Sequence, residues 1–138
     1  MRKSISDRLS EICKANGLHY YTGYIEKIGM ENTHYPCLWV NPPKLVSAHY
    51  TDDNAVGQFE ARMWLMTNEK VKDERARVAV WDRFERLAYK IIGEAADRYL
   101  LFTLTDVSVF EMPLTNRLEF GVQLTVKIDV DECVSTAG

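Results

Sequence analysis

The chain has 138 residues, a formal net charge of −3 at pH 7 and a sequence pI of about 5.6. This length fits a single domain, 1–138, and is enough to bury a hydrophobic core without help from a disulfide or a metal. The acidic balance argues against a protein whose main task is to hold nucleic acid, because phosphate binding requires a basic face.

Three cysteines are present, and no two of them have the spacing of metal ligands. An odd number of unpaired thiols is typical of a reducing compartment. The first residues lack the apolar run of a signal peptide, and no apolar run approaches the ~18 residues that cross a bilayer. We therefore expect a cytoplasmic protein with no membrane segment.

The first predicted element is a short helix that Ser4 caps and Gly17 ends, with Leu18 packing back on the last turn. Its apolar residues recur at helical spacing and form one stripe. The stripe consists of Ile5, Leu9 and Ile12.

Four strand segments follow. We predict one strand near Tyr20–Ile28, a short run CLWV that Pro42 and Pro43 end, and a strand over Leu45–Thr51. The fourth, Gly57–Met66, alternates in polarity, and its second face is half apolar. This strand is therefore expected to be covered on both faces near its end.

The main helix is predicted from Asp73 to about Ala96. Its apolar face is wider than the ~100° of a helix that packs on one layer, so we expect it to pack on the sheet and to meet a second surface. The central stripe is Val80, Phe84, Leu87, Ile91 and Ala95, widened by Trp81, Ala88 and Ile92.

The end of the chain is the most regular part. Every even position from Leu118 to Val130 is apolar, which predicts a long strand with one buried face. Leu100–Glu111 is also rich in strand formers, and the turn residues MPLTNR between the two segments predict an antiparallel hairpin. Residues 134–138 are expected to be a flexible tail.

These elements predict an α+β fold. Its parts are an antiparallel sheet with a long C-terminal hairpin, one main helix packed across it, and a short N-terminal helix.

No motif indicates catalysis. His34 and Cys37 form one H-x-x-C pair, but zinc needs three or four ligands and no second pair exists. Asp129 and Asp131 occupy the polar phase of a strand, where charged side chains are expected anyway. The chain also lacks the glycine-rich loops that bind phosphate. We therefore predict a protein with no enzymatic activity, no cofactor and no metal.

Two groups of apolar residues are candidate protein interfaces, because aromatic residues and methionine are enriched at interface centres. The first group lies on both faces of one strand, and the second surrounds the tip of the final hairpin. They are Met63, Trp64 and Met66, and Phe110, Met112, Leu114, Leu118 and Phe120.

The element order and several segments resemble the tail terminator and tail-completion proteins of tailed phages, which join head to tail. The segments are HYYTGYIEKI, YPCLWVNPP, GQFEARMWLM, WDRFERLAYKII and PLTNRLEFGVQLTVKIDV. The last of them, with N-R-L-x-F-G opening a long final strand, carries most of the resemblance.

The resemblance implies a non-enzymatic virion structural protein that self-associates into a ring, after assembly in the host cytoplasm. Its partners would be tail-tube or head–tail connector proteins, with no specific binding of nucleic acid. Glu119 and Asp129, on the polar phase of the last strand, would then repel phosphate rather than capture it. Two alternatives stay open: a small protein-binding module of a bacterial or mobile-element system, and a small enzyme or ligand-binding domain.

Overall fold

A computed structural model describes residues 1–28, 33–110 and 118–133, apart from the side chains of Lys27 and Cys133. These residues adopt an α+β fold, in which a mixed sheet of six strands carries two helices and ends in a C-terminal strand hairpin. The elements are α1 (Arg2–Ala15), β1 (His19–Thr22), a 3₁₀ turn (Ile25–Lys27), β2 (Cys37–Val40), β3 (Lys44–Tyr50), β4 (Asn54–Thr67), α2 (Glu74–Ala95), β5 (Leu100–Phe110) and β6 (Phe120–Cys133).

The sheet is mixed rather than purely antiparallel. Its order is β1-β2-β4-β6-β5, and β1 runs parallel to β2 while the other pairs are antiparallel. A parallel pair needs a long connection to bring the chain back, and residues 23–36 provide it. The predicted strand Tyr20–Ile28 is too long, because β1 ends at Thr22 and a 3₁₀ turn follows it. The residues after Thr22 belong to the connection between β1 and β2.

Strands β2 and β3 lie one after the other along the same edge of β4. β2 pairs with Met63–Met66, and β3 pairs with the stretch from Ala55 to Glu60. Pro42 and Pro43 separate the two strands, as expected of residues that cannot donate to a ladder. The edge of the sheet is therefore stepped, because β1 extends it by one strand beside β2 but not beside β3.

Helix α1 ends as predicted but begins earlier. Gly17 has a φ of 71°, and the Leu18 N–H donates to the Cys13 carbonyl at 2.9 Å, which is the Schellman arrangement. The predicted Ser4 cap is wrong, because the helix already begins at Arg2. The Ser4 hydroxyl instead donates to Glu132 on β6 at 2.8 Å and fastens α1 to the sheet.

Helix α2 is capped by Asp73, whose carboxylate accepts from the Ala76 N–H at 2.9 Å. Val80, Phe84 and Ile91 are buried in one cluster with β6 residues Val122, Leu124 and Val126, and Leu87 packs at its margin. The expected second surface is α1, whose Arg8 guanidinium donates to the carbonyls of Glu94 and Ala95.

A smaller apolar cluster covers the opposite face of the sheet at one end. Trp64 and Met66 of β4 lie there with Trp39 of β2, beneath Ile25 and Ile28. The prediction that β4 is covered on both faces near its end is therefore confirmed. In the ranges that the structure describes, no helix is both long and apolar enough to span a membrane.

Candidate assembly interface

The first candidate interface group is buried within the chain itself. Met63 and Met66 are completely inaccessible and Trp64 is nearly so. Met63 belongs to the cluster beneath the helices, whereas Trp64 and Met66 belong to the smaller cluster on the other face. These side chains contribute to folding, and they offer no exposed patch to a partner.

The hairpin tip lies only partly within the described residues. Met112 and Leu114 fall outside them. Phe120 is buried beneath the Arg77 guanidinium, and Phe110 packs against the smaller cluster while its carbonyl accepts from Trp81 Nε1 at 3.3 Å. Of the candidate residues that the structure describes at the tip, only Leu118 is largely exposed, at 64%.

The start of β6 reverses the predicted alternation. The alternation predicts Leu118 on the buried phase, but its φ of 62° places it outside the strand, and its side chain faces outward. It predicts Glu119 on the exposed phase, but Glu119 is completely buried and accepts from the Tyr35 hydroxyl at 3.0 Å. Glu119 therefore does not contribute to an exposed acidic face.

Strand β3 has the most unusual exposure in the structure, since all seven of its residues are exposed. Leu45, Val46 and Tyr50 remain 45%, 59% and 65% accessible. Within the described ranges no strand pairs with its outer edge. An exposed edge that carries large apolar side chains is a template for pairing with another chain, and soluble proteins generally avoid leaving one open.

Sequence reasoning predicted this strand but not its exposure on both faces. The adjacent Leu45 and Val46 do not alternate with polar residues, and this is the signal that could have indicated a strand without a single buried face. The exposure itself depends on the helices, because neither α1 nor α2 extends over β3.

Alternate residues of β3 direct their backbone N–H and C=O groups toward its open edge. The Thr51 N–H donates to the Asn54 carbonyl at 2.8 Å, which makes these two a hydrogen-bonded pair at the end of the β3–β4 hairpin. In an antiparallel ladder such pairs alternate with pairs whose N–H and C=O groups point away from the partner strand. Ala48 and Tyr50 therefore present their backbone groups to the open edge.

Strand β5 forms the opposite edge of the sheet. The Asp131 N–H donates to the Tyr99 carbonyl at 2.9 Å, so the same alternation directs the backbone groups of Phe102 and Leu104 outward. Leu101 and Val109 are exposed at 54% and 51%. The sheet thus has a long unpaired edge on each side within the described part of the chain.

Beyond the smaller apolar cluster, the face of the sheet opposite the helices carries charges of both signs. Glu60 lies directly across from Lys127 on β6 and from Lys44 on β3, and all three are exposed. Such alternation of charge stabilises cross-strand pairs by up to about 1 kcal/mol each. It does not provide the one-signed basic surface that phosphate binding requires.

One cleft between the helices and the sheet is lined by groups that also have structural partners. A cleft of about 500 Å³ lies between α1 and the end of β6, and most of its polar lining is carboxylate. Its Arg8 bonds to the last turn of α2, and its Glu132 accepts from Ser4. These two groups join α1 to α2 and to the sheet.

The two residues of the H-x-x-C pair lie in different environments. His34 is exposed and its ring lies 5.4 Å from that of His19, whereas Cys37 is completely buried. Burial raises the pKa of the Cys37 thiol to about 12, and that of Cys13 likewise. Within the described residues, no three metal-binding side chains cluster together.

Both buried thiols are therefore expected to be unreactive in the folded protein. With a pKa of about 12, only about one thiol in ten thousand is ionised near pH 8, and the thiolate is the reactive form. In a Cys133→Ser variant, Ellman's reagent should label Cys13 and Cys37 only after denaturant is added. Rapid labelling of either thiol in the native protein would contradict the placement of these two residues.

Comparison with known proteins adds no assignment. No model of a known protein family matches the chain, and no curated protein matches it either.

Proposed function

We propose that this protein is a non-enzymatic structural protein that assembles through the open edges of its sheet into an oligomeric ring. The observation that carries the proposal is β3, an edge strand exposed along its whole length with three large apolar side chains. Burying the exposed half of each such side chain in an assembly would contribute about 1 kcal/mol. The backbone groups at its open edge would be satisfied at the same time.

The ring would be the kind that caps the tail tube of a tailed phage or joins the tail to the head. The resemblance of the sequence to tail terminator and tail-completion proteins supports this role. The protein would then function in the virion, beside tail-tube or connector proteins. The mixed charge of the open sheet face suits a surface past which DNA moves without being held.

Self-assembly is tested by a lysine substitution on β3. The purified wild-type protein should elute as an oligomer, with a mass by light scattering that is a multiple of 15.9 kDa. Val46→Lys should reduce this mass to that of the monomer, because a charge on the edge opposes strand pairing. Circular dichroism should show an unchanged fold, since Val46 is exposed in the monomer.

Val78→Lys is the matched control. It makes the same substitution at a similarly exposed valine on α2, outside both edge strands, and should leave the oligomer intact. A wild-type protein that stays monomeric at all concentrations would contradict the proposal. A monomer that instead binds one foreign protein through β3 would favour the alternative of a protein-binding module.

A further inference from the structure

We propose that the β3 edge of one copy pairs with the β5 edge of the next copy, so that the sheet continues from copy to copy. This inference rests on the proposed function, because it identifies the surface that the β3 edge would meet. The partner of β3 would be a second copy of the same chain, bound through a different edge.

The direction of the strands favours this contact. β3, β4, β6 and β5 alternate in direction across the sheet, so β3 and β5 run opposite ways. A second copy related by rotation about an axis along the strands would place its β3 antiparallel to β5 of the first. The alternation therefore continues across the contact without inverting the neighbour.

The chemistry of the two edges is complementary. β3 carries Lys44 and no acidic residue, whereas β5 carries Asp106 and no basic residue. Each edge directs backbone groups outward at alternate residues, Ala48 and Tyr50 on one side and Phe102 and Leu104 on the other. Two such edges can form an antiparallel ladder and satisfy each other's donors and acceptors.

The stepped outline of the sheet leaves room for the incoming strand. A strand paired with β3 would lie in line with β1 and would fill the space beyond Thr22, where β1 ends. A pocket of about 280 Å³ opens at this step, lined in part by Tyr20, Val40 and Pro42. It could accept an apolar side chain from the partner, such as the exposed Val109 of β5, which lies on the same face of the strand as the partly buried Val107.

The alternative of β3 pairing with β3 would stop at a dimer. Such a twofold contact uses the same edge on both copies and leaves both β5 edges open. A head-to-tail contact covers one β3 edge and one β5 edge at every junction, and a closed ring then has no open long edge. A β3–β3 contact by itself cannot close a ring, whereas the head-to-tail contact can.

The test mixes two variants, each blocked at one edge. Val46→Lys blocks β3, and the double variant Leu101→Lys, Val109→Lys blocks β5. Each variant alone should be a monomer by light scattering. Mixed in equal amounts at the highest soluble concentration, they should form a complex of twice the monomer mass, because one intact β3 meets one intact β5.

Other outcomes overturn the inference while leaving the proposed function standing. If the β5-blocked variant alone remains a dimer, β3 pairs with β3. If the wild type assembles but the mixture stays monomeric, the edges do not meet each other. A wild type that never assembles overturns both proposals.

Amide hydrogen exchange on the wild-type assembly gives an answer that does not depend on blocking both edges. Pairing of β3 with β5 should slow exchange at Ala48, Tyr50, Phe102 and Leu104 relative to a monomeric sample, such as the Val46→Lys variant. Slower exchange at Ala48 and Tyr50 alone would contradict the pairing with β5.

Discussion

Replacing Phe84 by alanine should lower the free energy of unfolding by about 3–5 kcal/mol, the usual range for truncation of a buried phenylalanine. Phe84 is 3% exposed and lies in the cluster that joins α2 to β6. Its removal forfeits apolar burial and leaves a cavity between helix and sheet, which the surrounding side chains fill only in part. Urea denaturation followed by circular dichroism measures the change.

Tyr89→Ala is the control on the same helix. Tyr89 is largely exposed, so its truncation should change the free energy of unfolding by no more than about 0.5 kcal/mol. Equal stabilities for Phe84→Ala and Tyr89→Ala would mean that the buried face of α2 is misplaced. Because α2 packs against β5 and β6, the placement of these two strands relative to the helix would then also be wrong.

Gly121→Ala should destabilise the protein by about 3 kcal/mol or more, at the upper end of the cost of overpacking. A Cβ at Gly121 would overlap the carbonyl oxygen of Leu65 and lie 2.9 Å from the Cα of Met66. Both obstacles are backbone atoms of β4, so no side-chain rotation relieves the overlap. The strands would have to separate at the start of β6, and thermal and urea denaturation would both detect the loss.

Gly93→Ala is the matched control for this substitution. Gly93 lies in α2, and beyond its own helical turns no atom comes within 4 Å of the point that an alanine Cβ would occupy. The same change should stabilise the protein by roughly 0.5–1 kcal/mol through helix propensity. If Gly121→Ala is tolerated as well as Gly93→Ala, the close approach of β4 and β6 at this point is wrong.

Local patterns in the sequence predicted most elements well. The stop of α1 at Gly17, the start of α2 near Asp73 and the long final strand all depend on a few neighbouring residues. In two predictions that failed, a distant contact had replaced the local one. Ser4 bonds to Glu132 on β6 instead of capping its own helix, and Glu119 bonds to Tyr35 instead of facing solvent.

The candidate interface residues also show that local sequence patterns do not reveal distant contacts. Met63, Trp64 and Met66 have the composition of an interface, but the same residue types also form cores, and the sequence cannot separate the two uses. Their burial depends on segments far away in the chain, such as Ile25 and Ile28 beneath the sheet. The hairpin tip is a candidate because of its apolar residues, and Leu118 is its one described member that is largely exposed.

The sequence by itself determined the α+β class, the main helix and the paired final strands, because periodicity and capping act over a few residues. The tertiary structure decided that β1 pairs in parallel, that β3 is an open edge among the described residues, and that β5 lies at the far side of the sheet. Strand order and exposure depend on which distant elements meet and on how far the helices reach. Local sequence patterns do not specify strand order or exposure. The surfaces proposed for assembly follow from both.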